Sequence, residues 1–154
     1  MTHFEPLSNE EIQVLEDAIP QIAVLIAGAD GEIDSHEIDW ATKLAHIRTY
    51  SSSVDLREFY KQIDKTFVVK TTEIMKYSST NKDVRQAKLS ENLEKINSIL
   101  AKLDHKTAEH LYESFISFAK GVANASGGVL GFHTLHSEEK KWVTLPMITP
   151  VLPS

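Results

Sequence analysis

Ile22-Ala23-Val24-Leu25-Ile26-Ala27-Gly28-Ala29-Asp30-Gly31-Glu32-Ile33-Asp34-Ser35-His36-Glu37-Ile38-Asp39-Trp40 carries the architecture of this chain in one unit. Its first third is apolar on every side, which suits the end of a buried helix. Asp30, Glu32, Asp34 and Glu37 then crowd around Gly31 in an acidic turn, and the remainder opens a second helix. Outward from this unit, punctuation is sparse. All five prolines (Pro6, Pro20, Pro146, Pro150, Pro153) lie towards the ends. All six glycines lie in two junctions, Gly28 and Gly31 in the first and Gly121, Gly127, Gly128 and Gly131 in the second. No Asn-Gly or Asp-Gly pair separates two alternating segments, so hairpin signals are absent. The pattern predicts an all-α fold, a compact bundle of about seven helices forming one domain over residues 1–154 with its core at about 10–145.

The helices follow from periodicity and caps. Ser8-Asn9-Glu10-Glu11 is a capping box, and the helix it opens carries Ile12, Leu15, Ile19, Ile22 and Ile26 on one side. Pro20 is expected to kink or restart that helix, because it removes one backbone bond and clashes with the preceding turn. Ile38, Ala41, Leu44, Ala45 and Arg48 continue the helical spacing after the acidic turn. Leu56, Phe59, Tyr60, Ile63 and Phe67 line the next helix, and the β-prone Phe67-Val68-Val69 and Thr71-Thr72 predict a break before a short helix at Glu73 to Tyr77. Leu93, Ile96, Leu100 and Leu103 form a 3-4-3 stripe that predicts one long helix. After Asp104-His105-Lys106, a wide apolar face runs through Ala108, Leu111, Tyr112, Phe115, Phe118, Ala119 and Val122.

Composition narrows the function. The 154 residues carry a formal net charge of −6 with acidic residues spread along the chain, which argues against sequence-independent nucleic-acid binding. The absence of cysteine excludes disulfides, thiolate metal sites and cysteine nucleophiles. Met1 to Glu11 has no basic n-region, and the longest apolar run, Ile19 to Ala29, contains Pro20 and Gln21 and falls short of a span of roughly 20 residues. A cytoplasmic protein without direct membrane insertion is expected.

The second junction is a degenerate copy of the first. Ala29 and Asp30 fall on Ala123 and Asn124, and Ser35, Glu37 and Trp40 fall on Ser137, Glu139 and Trp142, so the chain's two tryptophans coincide. Ala29-Asp30-Gly31-Glu32-Ile33-Asp34-x-x-Glu37, followed by Ser126-Gly127-Gly128-Val129-Leu130-Gly131-Phe132 and Ser137-x-Glu139-Lys140, resembles the TerB-like tellurite-resistance family. The same helical module occurs in the DjlA co-chaperone. The resemblance, over roughly residues 10–145, implies an all-α pseudo-duplicated bundle. It also implies a non-enzymatic role in tellurite and stress resistance, a metal-ion site at the acidic turns, and a protein partner, membrane-associated in the co-chaperone case. Asn124 and the glycine-rich second turn depart from the acidic pattern of the first.

The acidic turn itself reads in two ways. Asp30-Gly31-Glu32-Ile33-Asp34-Ser35-His36-Glu37 fits the last eight positions of an EF-hand loop, but the leading ligand positions fall on Ile26 and Gly28, which have no side-chain oxygen. A cation here would take Asp30, Glu32, Asp34 and Glu37, borrowing His136, Glu138 or Glu139 from the second junction. Carboxylates alone suit Ca²⁺, Mg²⁺ or Mn²⁺, and an added His36 or His136 suits Zn²⁺. Alternatively Asp34 is an N-cap with Glu37 at N3, and Gly31 ends the preceding helix. A protein-docking reading rests on Val129, Leu130 and Phe132 in the glycine-rich junction. Trp40 and Trp142 are expected in the core, and His105, Glu109 and His110 at a solvated helix start. No nucleophile elbow or phosphate-cradling loop is present, so no enzyme is expected.

Overall fold

The computed structural model describes the backbone of residues 2–127 and 137–153, and the side chains of 3–125 and 140–153. The described residues form seven α-helices: α1 (Asn9–Ala27), α2 (Ser35–Ser51), α3 (Val54–Tyr77), α4 (Lys82–Glu94), α5 (Ile96–Leu100), α6 (His105–Gly127) and α7 (Ser137–Val143). The fold is all-α, with no strand among those residues. Helix α1 is the axis of the bundle and packs against each of the other six. From Ala18 to Ala27 every residue except Gln21 is buried, as an element apolar on all sides must be. No helix among the described residues is long and apolar enough to cross a membrane.

Two expectations about helix boundaries are corrected, and of the two alternatives at Pro20 the restart is excluded. Helix α1 neither stops nor restarts at Pro20, which lies buried inside it. Ala18, Ile19, Ile22 and Ala23, all fully buried, hold the segment helical against a local penalty of about 3 kcal/mol. Helix α3 runs unbroken to Tyr77. Val68 and Val69 are exposed on its outer face while Phe67 and Thr71 face the core, so the β-prone residues simply fill a helix that packing secures. Conversely, the Leu93–Leu103 stripe does not lie on one helix. The chain steps at Lys95, whose N–H bonds the carbonyls of Asn92 and Leu93, and α5 begins at Ile96. The stripe stays buried across the step, because its spacing preserves the inward face.

Helices α2 and α6 approach closely. The buried face of α2 offers only Glu37, Ile38, Ala41 and Ala45, and a Cβ on Gly121 of α6 would lie 2.5 Å from Leu44 Cδ2. The core also extends beyond the expected limits. Phe4 and Leu7 close one end, with Phe4 edge-on to Phe59. Leu145 and Ile148 join the core from the C-terminal segment, where Asn97 donates to Met147 O (3.0 Å) and accepts from Thr149 N (2.8 Å).

Candidate functional site

The acidic turn is built from the end of α1. A helix leaves its last four carbonyls without partners inside the helix. Here all four are taken: Val24 O accepts from Gly28 N (2.9 Å), Leu25 O from Gln86 Nε2 (2.9 Å), Ile26 O from Ala29 N (3.2 Å) and Ala27 O from Asp34 N (2.9 Å). Two of the turn's own carbonyls, those of Gly28 and Gly31, are taken as well. Arg85, buried on α4 with 4% of its surface exposed, donates Nη2 to Gly28 O (2.5 Å) and Gly31 O (3.1 Å), and its Nε bonds Gln86 Oε1 (3.4 Å). Burial pushes the Arg85 guanidinium below its usual range, and the Asp30 carboxylate nearby draws it back up. The turn therefore already holds a cation, one supplied by the protein.

Helix α1 is capped by Gly28, at an ordinary φ of −100°, rather than by Gly31. Gly31 supplies the left-handed step within the turn, at φ 124°. Asp34 is the N-cap of α2, its Oδ1 accepting from His36 N (2.8 Å) and Glu37 N (3.2 Å). Asp34→Ala should cost about 1 kcal/mol and Asp34→Ser a fraction of that, read as a shift of the urea midpoint at unchanged slope.

The four carboxylates of the predicted site diverge. Asp30 and Glu32 are exposed, Asp34 is engaged in the cap, and Glu37 is buried at 1% exposure. Among the described residues, no three His, Asp or Glu side chains converge as a metal would require. Glu138 and Glu139 fall on the first turn of α7, but their side chains lie outside the described residues, as do His136, Val129, Leu130 and Phe132 altogether. Trp142 packs half-buried against the core as expected, whereas Trp40 is 39% exposed on the outer face of α2.

The start of α6 is exposed at His105 and Lys106 as its sequence suggests, but Glu109 and His110 are half-buried. His110 Nδ1 meets Asp55 Oδ2 at 2.7 Å, tying α6 to the first turn of α3, and His105 Nε2 meets the tail carbonyl of Leu152 at 2.7 Å. Burial raises the Asp55 carboxyl, but hydrogen bonds from Ser53 and His110, with the charge attraction of His110 and His3, outweigh it and leave Asp55 below the usual carboxylate range. A carboxyl lowered on folding contributes stability above its unfolded value of about 4, and that stability drains away as pH falls through the folded value. Asp55→Asn should therefore flatten the stability–pH curve below about pH 4, checked by urea melts at stepped pH.

Arg85 and Gln86 are the residues that sequence reading missed. Comparison with known proteins finds no matching family model, no matching curated sequence and no matching solved structure.

Proposed function

We propose that this chain is a non-enzymatic, cytoplasmic helical module of the TerB-like type, serving tellurite or stress resistance through a protein partner. In this reading the acidic turn is a structural knuckle and not a cation site. The observation that carries it is the Arg85 guanidinium on the carbonyls of Gly28 and Gly31, with every late carbonyl of α1 already bonded. A Ca²⁺ ion wants six to eight oxygens, and here the last α1 carbonyls and those of Gly28 and Gly31 are committed to protein donors. Partner contact then falls to the glycine-rich junction with Val129, Leu130 and Phe132.

The test is a tryptophan-fluorescence titration of chelator-stripped protein with Ca²⁺, Mg²⁺, Mn²⁺ and Zn²⁺, beside Asp30→Asn and Glu37→Gln. Trp40 stands one helical turn beyond Glu37 and should sense an ion there. Flat traces with all four ions fit the knuckle. A saturable change abolished in both variants would restore the cation site. The resistance role has its own test: expression in a tellurite-sensitive host should raise tolerance, and Asp30→Asn should preserve that gain. Unchanged tolerance with the wild-type chain would remove the TerB-like role.

A further inference from the structure

A second polar assembly lies between α2, α3 and α6, away from the acidic turn. Arg48 of α2 is half-buried there, its Nη1 donating to Ser114 O (3.1 Å), Ser114 Oγ (3.0 Å) and Tyr60 Oη (3.4 Å). The guanidinium carbon lies 5.7 Å from the Tyr60 ring centroid and 5.5 Å from that of Phe118, so the plane is pinned by cation–π contact as well. Tyr60, fully buried, shares a further hydrogen bond with Ser114 Oγ, and burial pushes its phenol above the usual range. One arm of Arg48 is thus fixed. Among the described residues its Nε and Nη2 make no hydrogen bond, and the whole side chain makes no ion pair.

Acidic groups outnumber basic ones 22 to 16, and a partly buried guanidinium ordinarily finds a carboxylate. The nearby Asp55 is instead taken by His110. Arg48 opens onto a cleft of about 570 Å³, within the range of small-molecule sites. The walls carry Ser51, Ser52, Ser53, Ser114 and Ser117, with Leu44 and Leu56 as the apolar part, and His110 and the exposed Glu113 also line it. Ser52, Ser53 and Ser117 already donate their hydroxyls to Arg48 O, Asp55 Oδ1 and Ser114 O, so the receptor for an oxyanion is the pinned guanidinium itself, whose planar fork grips through two parallel N–H donors. Because Arg48 is already ordered by Tyr60, Phe118 and Ser114, little side-chain freedom remains to be lost on binding.

We propose that the Arg48 cleft binds a small molecule through a phosphate or carboxylate head, held by Nε and Nη2 of Arg48, which no described residue engages. The site is separate from the acidic turn, so it stands whether or not that turn is a structural knuckle.

The experiment follows backbone amide and arginine Nε–H resonances of the whole chain. It titrates inorganic phosphate, phenyl phosphate and benzoate at constant ionic strength, with chloride as control. Saturating shifts centred on Arg48, Ser114 and Ser117, with a dissociation constant at or below about 10 mM, are expected for at least one probe. Response to phenyl phosphate alone assigns a phosphate head, and response to benzoate alone a carboxylate. Arg48→Gln should weaken binding at least about tenfold. Because Arg48 also braces Tyr60, Ser117→Glu serves as the second variant. It sits on an exposed position of α6, leaves the brace intact, and should abolish binding by charge repulsion while the spectrum stays folded. Shifts no larger than those with chloride for all three probes, or binding unchanged by Ser117→Glu, would overturn the site.

Discussion

Replacing Arg85 with methionine is expected to destabilise the fold by about 3 kcal/mol, since a hydrogen bond from a charged donor contributes roughly 1.5–3 kcal/mol and a buried acceptor left without one costs more. Methionine retains most of the stem volume, so the loss reports the guanidinium and not a cavity. Gly28 O keeps its bond from Gly31 N (3.1 Å), but Gly31 O loses its donor, and Gln86 Oε1 loses Arg85 Nε. Part of the loss is offset, because a buried cation no longer has to be desolvated. Arg85→Lys should fall between the two: a point charge cannot bridge both carbonyls as the fork does. Urea unfolding is the measurement, with a lowered midpoint and an unchanged slope as the expected result. A loss below about 0.5 kcal/mol for Arg85→Met, within the range of ordinary surface changes, would mean that the turn does not depend on the clamp, and its carbonyls would again be candidates for a metal.

Why Arg85 escaped sequence reading is instructive. Lys82-Asp83-Val84-Arg85-Gln86-Ala87-Lys88 reads as a solvated helix face, charged on three sides. Nothing local marks one arginine among these as buried; its partner is 57 residues away at Gly28. Features governed by near neighbours were legible. The Ser8–Glu11 capping box forms in both directions, at 2.9 and 3.1 Å, and Asp34 caps α2 as its position before the helix implies. The all-α class was legible for the same reason, since proline and glycine placement is a local constraint on backbone. The failure came where packing overrode propensity, at Val68 and Val69 inside α3. The carboxylate spacing of an EF-hand was legible too. It did not reveal that Asp30 and Glu32 face solvent while Glu37 faces inward, because convergence of ligands depends on backbone rotations that spacing does not encode.

The two glycines of the turn should respond to alanine for different reasons, and that difference can be measured. At Gly28, whose φ of −100° suits any residue, an added Cβ would lie 2.6 Å from Arg85 Nη2, 3.0 Å from its Cζ and 3.1 Å from Val24 O. Val24 O is helix backbone and cannot yield, so the guanidinium must retreat and give up Gly28 O and Gly31 O. Alanine also narrows the unfolded ensemble, a gain of about 0.4–1 kcal/mol that offsets part of the damage. Gly28→Ala should therefore lose about 2 kcal/mol net when Arg85 is present. In an Arg85→Ala background only the 3.1 Å contact with Val24 O remains, and the same change should fall within about 1 kcal/mol of neutral. Gly31 has nothing within 4 Å of its would-be Cβ, but its φ of 124° strains any L side chain. Gly31→Ala should lose about 1–3 kcal/mol from that strain, by the same amount with or without Arg85. A double-mutant cycle on urea midpoints thus separates them: strong coupling to Arg85 at position 28, additivity at 31. Additivity at both positions would mean that the guanidinium does not rest on the bare backbone of Gly28, and the clamp would fail as the account of why this turn closes without an ion.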